Sequence, residues 1–479
     1  MGRLRRGAYA DSIALMQAAE ALRKLPGIRD AAVLMATPAN LATLAEAGLR
    51  PAEADAASAE DLLVAVAADD TPSGHAALVQ AESLLARGRR AGDGGRAEEP
   101  PRSLVSAARR MPDANLAVIG VPGEHAVAEA HQALSAGLHV FLFSDGVPPR
   151  AERALKLRAR SRGLLVMGPE CGTSIVNGVG LGFANRVRRG GIGLVGASGT
   201  GLQEVTSLIH RLGGGVSHAI GTGGRDLHAE IGGITSLQAL ALLGADAATR
   251  VVVLVSKPAS SDVAREVLGA AASLGKPVIG CLLGWSGAAP DGVRLVDTLE
   301  DAAAAAVRAL GLEPAAIDAP KLVAGRERLG DVLGLFTGGT LCDEARRIVG
   351  PDARGFVDFG AEEYTRGRPH PMIDPALRSA ALARAAGDPR VGVLLLDAVL
   401  GSCAHPDPAG AAAAAIVEAR THASRLGRRL AVVAHVVGTD DDPQGLAAQE
   451  DTLRAVDAIV CGSNRIAAET ALALARGNR

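Results

Sequence analysis

Short apolar runs alternate with amphipathic stretches along most of the chain. Leu116–Val121, Val140–Phe143 and Leu164–Met167 read as strands, and Glu124–Ala136 and Pro149–Arg162 between them read as helices. An uninterrupted apolar run fits a strand buried on both faces, and the intervening helical period fits a helix packed on it. The alternation therefore predicts βαβ units and a parallel sheet with right-handed crossovers. The pattern continues with strands at Val216–Ile220, Val251–Val255 and Val278–Leu282 and helices at Ser236–Leu243 and Asp262–Leu274. It resumes with strands at Val332–Phe336, Gly355–Phe359, Val391–Leu396 and Leu430–His435, and helices at Leu341–Val349, from near Pro375, and at Pro408–Leu426. Before all of these, helices at Ala10–Lys24, Pro38–Gly48 and His75–Arg87 and strands at Ala31–Met35 and Leu62–Ala67 form a smaller α/β unit. Thr37 before Pro38 is either a helix N-cap or part of a small-ligand loop.

Gly88–Arg102 is rich in Gly, Pro and charge and has no apolar period, so it reads as a linker. The elements then divide into a small α/β domain over 1–87, the linker 88–102, and three doubly wound α/β domains over 103–187, 188–320 and 331–479. The last two repeat one order of elements: strand, small-polar glycine turn, helix, strand, glycine-led loop, helix, long apolar strand. Ser198-Gly199-Thr200 matches Gly338-Gly339-Thr340, and Val251–Ser256 matches Val391–Asp397, at an offset of about 140 residues, a normal domain length. Two copies of one flavodoxin-like domain are expected, and if they pack about a pseudo-two-fold axis their two glycine turns face one ligand.

Chemistry gathers at the strand ends. Gly196–Gly201 joins a buried strand to a helix start, where unpaired N–H groups and the helix dipole favour an anion. Ser198, Gly199 and Thr200 are the expected phosphate-binding residues there, with Thr337, Gly338, Gly339 and Thr340 as their counterparts. Arg225 and Lys257, both candidate catalytic residues, sit at predicted strand ends on the same rim as Ser198 and suit phosphate or a dicarboxylate, unless Arg225 and Asp226 simply pin their own loop. Gly168-Pro169-Glu170-Cys171 and Asp397 also fall at predicted strand ends, where open α/β sheets bind ligands. His370, near Arg368 in a proline-rich loop, is a candidate proton donor or anion ligand; the alternative is that it orders its own loop.

Composition narrows the partners. A net charge of -2 argues against nucleic acid and anionic membranes, and no apolar run is long enough for a membrane helix. Aromatics are only 2%, so aliphatic residues must build the core. Five scattered cysteines without C-x-x-C, and no paired histidines, suggest reduced thiols in the cytoplasm and no metal. No G-x-G-x-x-G opens the 103–187 sheet, so a dinucleotide is not indicated.

The segments LVMGPECGTS, GIGLVGASGTGLQE, AIGTGGRDL and KPVIG resemble the α subunit of succinyl-CoA synthetase and the NDP-forming acyl-CoA synthetases. The residues from Phe336 to Asp397 resemble the carboxyl-terminal domain of that enzyme's β subunit. With YADSIALMQ, ATPAN, FTGGTL and GRPHPMIDP in the same order, nearly the whole chain resembles the FdrA family. The resemblance implies a Rossmann-like CoA-binding-type domain followed by two ligase-type domains, whose facing helix starts stabilise a phosphohistidine in the synthetases. Two departures stand out. The loop expected to carry that histidine reads Gly284-Trp285-Ser286-Gly287-Ala288-Ala289-Pro290, and Ser256-Lys257 stands where the synthetases place a glutamate.

What remains suits free phosphate or an acyl or carbamoyl phosphate. The FdrA resemblance implies a subunit of a hetero-oligomeric oxamate carbamoyltransferase of purine catabolism, converting oxalurate and phosphate to oxamate and carbamoyl phosphate. The alternatives are an acyl-CoA synthetase, which would take CoA and a nucleotide, and a non-catalytic anion-sensing subunit.

Overall fold

The central strand of the amino-terminal domain shows why apolar runs dominate this chain. Leu62, Val64 and Val66 face one layer of helices, packing on Leu15, Leu22, Leu78 and Ala81, while Leu63 and Ala65 face the other way onto Ala36, Leu44 and Ala54. Side chains alternate across a strand, so a strand covered on both faces has no polar side left. The computed structural model describes residues 1–8, 12–90, 101–320, 328–365 and 368–477. Within them the chain forms two compact units, one of Met1–Pro100 with Glu362–Asp374, the other of Pro101–Ala361 with Pro375–Arg479.

In the first unit, Leu62–Ala68 lies between Gly2–Arg5 and Ile28–Met35 in an antiparallel three-stranded sheet. The Gly2–Arg5 strand is not visible in the sequence because it is short, half arginine and only half-buried at the sheet edge. Thr37 is an N-cap, its hydroxyl accepting the Asn40 N–H at 3.3 Å. Helix Thr71–Arg90 absorbs the first residues of the predicted linker, and 91–100 lie outside the described residues, as do Tyr9–Asp11 and Gly367.

The second unit contains three sheets. Leu116–Ile119, His139–Leu142 and Val166–Met167 form a small parallel one. Five parallel strands of the next run in the order Val293–Leu295, Val278–Leu282, Val251–Ser256, Arg189–Ala197, Val216–Gly221. The third sheet repeats that order with Ile459–Cys461, Ala431–Val437, Val391–Val399, Asp331–Phe336 and Ala353–Asp358. Numbered along each domain, both are 2-1-3-4-5, the flavodoxin-like order, with the switch point beside the first strand. The two glycine turns end those first strands.

One departure matters for the site. Thr173–Val176 and Val179–Gly182 form an antiparallel hairpin that joins the edge of the larger sheet through Val216–Gly221, instead of closing the preceding domain. Its turn is Asn177-Gly178, both with positive φ (53° and 83°), the type I′ geometry that two-residue hairpins favour.

Candidate anion site between two helix starts

The first cradle is built by a serine cap. Ser198 precedes helix Gly199–Arg211, and its hydroxyl accepts the Gly201 N–H at 2.9 Å. The Gly199 and Thr200 N–H groups have no partner among the described residues, and both residues are partly exposed in an otherwise buried turn. The second cradle precedes helix Gly339–Val349 and is anchored differently. Asp397 accepts the N–H groups of Thr337 and Gly338, each at 2.7 Å, together with the Thr337 hydroxyl. Arg378 donates to the same carboxylate at 2.9 Å, with both side chains almost fully buried. Asp397 therefore lies inside strand Val391–Val399 as a structural anchor, not on a ligand loop as expected, because that strand runs three residues past its predicted end.

The two helix starts meet. Ser198 Oγ lies 2.6 Å from Thr340 Oγ1, and a Cβ built on Gly338 would stand 3.0 Å from Thr200 Cβ. Lys257 reaches the same place: a Cβ on Gly339 would collide with its Nζ and with Asp358 Oδ2. Lys257 and Asp358 are 3.8 Å apart, an ion pair too long for a direct hydrogen bond. Burial pushes the Asp358 carboxyl up, while Lys257 and the Gly360 N–H pull it down. The structure thus brings together N–H groups of two helix starts, without partners among the described residues, and an ammonium beside the second of them, an arrangement that attracts an anion.

The remaining candidates are engaged by other partners. Arg225 pairs with Glu152 and Glu170, both at 3.2 Å, and donates to the Val147 carbonyl at 2.9 Å. Beside it the buried Lys156 bridges Glu152 and Asp226, and Asp226 caps the Ser236 N–H at 2.8 Å. Arg225 thus pins its loop to helix Pro149–Ser161, the second of the two roles expected for it, instead of joining Lys257; its acidic partner, Glu152, comes 73 residues earlier. Cys171 is buried, and that burial lifts its thiol to about 11, so it is no ready nucleophile. Gly168 and Pro169 pack against the backbone at Gly223. His370 belongs to the first unit, where its Nδ1 accepts the Met372 N–H at 3.2 Å and it orders its own loop.

Two acids that sequence reasoning missed lie six residues into each helix, at Glu204 and Glu344. Each crosses to the other domain. Glu204 accepts the Asn464 N–H at 3.2 Å, and Glu344 accepts the Leu299 N–H at 2.7 Å, so each acid satisfies the first N–H of the partner domain's last helix. Glu204 also pairs with His435 at 2.8 Å, whose other ring nitrogen meets the Cys461 carbonyl at 3.0 Å. Burial works against the His435 imidazolium, but Glu204 outweighs it and holds the pKa above the ordinary value. Both nitrogens being engaged, His435 offers no free acceptor for a phosphoryl group. A separate groove of about 570 Å³, lined by Arg308, Arg465 and Glu300 among others, includes no residue of either glycine turn and neither Lys257 nor Asp358.

Burial raises the Glu344 carboxyl to about 7. The folded protein then holds that proton more tightly than the unfolded chain, where the group titrates near 4.5. Its contribution is complete below about 4.5 and is lost as the pH rises to about 7. Glu344→Gln is expected to flatten the fall in stability across that window, read as urea midpoints against pH for both proteins. Parallel curves would contradict it.

Three family models match parts of this chain. "AllF, heavy metal-associated domain" covers residues 2–101, "CoA binding domain" 188–276 and "CoA-ligase" 335–474. The YahF protein of Escherichia coli (strain K12) is 40% identical over 490 aligned positions, covering 95% of each chain. The chain belongs to the YahF family. This YahF-like chain is also 31% identical, over 202 residues, to a succinate–CoA ligase [ADP-forming] subunit alpha 2 of Archaeoglobus fulgidus, covering 41% of this chain and 67% of the relative. Among solved structures, the apo form of the dinucleotide forming acetyl-coenzyme A synthetase 1 of Ca. Korarchaeum cryptofilum is 17% identical. That alignment covers 76% of this chain and 84% of the synthetase, with a TM-score of 0.34.

By the domain matches and the 31% identical relative, the YahF-like chain is an α/β protein with CoA-binding and CoA-ligase domains of the succinyl-CoA synthetase α-like superfamily. The heavy metal in the first domain's name finds no ligand set, since residues 2–101 hold no cysteine and one histidine, His75. Among the described residues no cluster of His, Cys, Asp and Glu could hold a metal ion, and no helix is long and apolar enough to cross a membrane.

Proposed function

We propose that the paired helix starts bind a phosphoryl group that stays on its small-molecule carrier, and that the chain handles an acyl phosphate as an enzyme of the acyl-CoA synthetase type. The observation that carries this reading is Lys257. Its ammonium lies at the Gly339 helix start, while the loop Gly284–Pro290, where the ligase resemblance expects the phosphorylated residue, contains no histidine. A cation beside two sets of unpaired N–H groups stabilises the charge that grows on phosphate as an acyl–phosphate bond breaks or forms. The site would hold the phosphate in line with the acyl carbon, and the protein would not carry it covalently.

Within that class, the FdrA resemblance favours carbamoyl phosphate. A phosphate oxygen attacks the ureido carbonyl of oxalurate, the carbonyl–nitrogen bond breaks, and the departing nitrogen takes a proton to leave oxamate. Such a reaction belongs in the cytoplasm and would involve further subunits. The acyl-CoA synthetase reading, with CoA and a nucleotide as substrates, is favoured by the matches to CoA-binding and CoA-ligase domains.

One experiment separates them. The purified chain, alone and with its neighbouring gene products, is assayed for carbamoyl phosphate from oxalurate and phosphate, and in parallel for acyl-CoA from succinate, CoA and ATP. Carbamoyl phosphate without phosphorylated protein supports the finer reading. Acyl-CoA formed through an acid-labile phosphoprotein would overturn both the carbamoyl reading and the uncarried phosphoryl group.

A further inference from the structure

Thr173 stands out among the buried polar groups. It is 1% exposed, and its hydroxyl has no hydrogen-bond partner among the described residues. An unsatisfied buried hydroxyl is costly and calls for an explanation. Its surroundings supply one: Thr173 Oγ1 lies 3.9 Å from where a Cβ on Gly199 would stand, beside the first residue of the helix whose N–H groups are unpaired.

The sheet explains how it gets there. Thr173 opens the strand Thr173–Val176, which runs antiparallel to Val216–Gly221. That reversed direction puts the beginning of the strand at the rim where the parallel strands end. In the strand order Lys257 follows the neighbour on one side of the Ser198 turn, and Thr173 lies two strands away on the other. The Gly339 helix closes a third side through Thr340.

We infer that Thr173 is a further binding residue of this anion site, donating its hydroxyl to an oxygen of the bound group, so that the site selects a tetrahedral oxyanion over a planar carboxylate. The inference rests on the proposed phosphoryl site. Donors come from Gly199 and Thr200, from Gly339 and Thr340, from Lys257 and from Thr173. The acceptor sites of a carboxylate lie in one plane, whereas the three terminal oxygens of a phosphoryl group point to different sides and meet donors that share no plane. Ligand binding also supplies the partner that the hydroxyl lacks.

The test uses the full chain and inorganic phosphate as the probe, with acetate for comparison, followed by calorimetry and thermal unfolding. Thr173→Val keeps the shape and removes the hydroxyl. It is expected to weaken phosphate binding about tenfold, to leave acetate binding unchanged, and to melt no lower than wild type without phosphate. Thr173→Ser is expected to bind phosphate as wild type does. If Thr173→Val binds phosphate normally while Lys257→Met does not, the inference falls and the site stands. If the wild-type chain binds no phosphate, the site itself falls and takes the inference with it. A markedly lower melting temperature for Thr173→Val without phosphate would show that the hydroxyl has a structural partner, and would also overturn the inference.

Discussion

Lys257→Met is expected to weaken phosphate binding about 100-fold and to remove turnover in whichever assay the wild type supports. Hydrogen bonds to charged groups contribute about 1.5–3 kcal/mol, and the lost charge adds to that because the site is half-enclosed. Met preserves the length and apolar stem of the side chain, so the effect reports the ammonium. The Lys257 side chain is 37% exposed and its acidic neighbour is Asp358, at 3.8 Å. That carboxylate competes with any anion for the ammonium and repels it directly. Asp358→Asn should therefore tighten phosphate binding where Lys257→Met weakens it, and a calorimetric titration reads both signs. Equal affinities in wild type and Lys257→Met would place the anion elsewhere. A loss with Asp358→Asn as large as that with Lys257→Met would mean that the carboxylate holds the lysine in place.

The site's halves were legible because each is local. Strand, glycine turn and helix start lie within a few residues at Ser198 and again at Gly338, and their repetition at a fixed offset raised the expectation that the two turns meet, as Ser198 and Thr340 do. What connects the halves to the rest is long-range and left no local signal. Arg225 has two readings in the sequence, ligand cation or loop pin, and only Glu152, 73 residues away, decides for the second. Asp397 looks like a strand-end residue until the strand continues through it and the Thr337 turn closes on its carboxylate. Glu204 and Glu344 sit in helical patterns that mark them as ordinary polar positions, and only the packing of two domains turns them into caps for distant helices. The hairpin that carries Thr173 is different: Asn177-Gly178 between apolar residues is a strong turn signal, masked because the region also reads as the tail of a parallel domain.

Asp397→Ala is the substitution expected to destabilise the fold most, by about 3–5 kcal/mol. The carboxylate is fully buried and satisfies two backbone N–H groups, a hydroxyl and a guanidinium at once. Removing it leaves Arg378, only 1% exposed, as an uncompensated buried charge whose Nε already lacks a partner among the described residues. Breaking one half of such a pair costs far more than the pair is worth, because the surviving ion has no route to water. The same argument gives an internal control. Asp397→Leu combined with Arg378→Met removes both charges, and should recover a large part of the loss in the midpoint of the major urea transition. The double variant should still bind phosphate poorly: the Thr337 and Gly338 N–H groups lose their anchor, and the Gly339 helix start loses its alignment with Ser198. Stability restored without phosphate binding would separate the two roles of this carboxylate, as a neutraliser of Arg378 and as the clamp that aims one of the two cradles. If Asp397→Ala unfolds at the wild-type midpoint, the ion pair contributes nothing to the fold and the turn is held by packing alone.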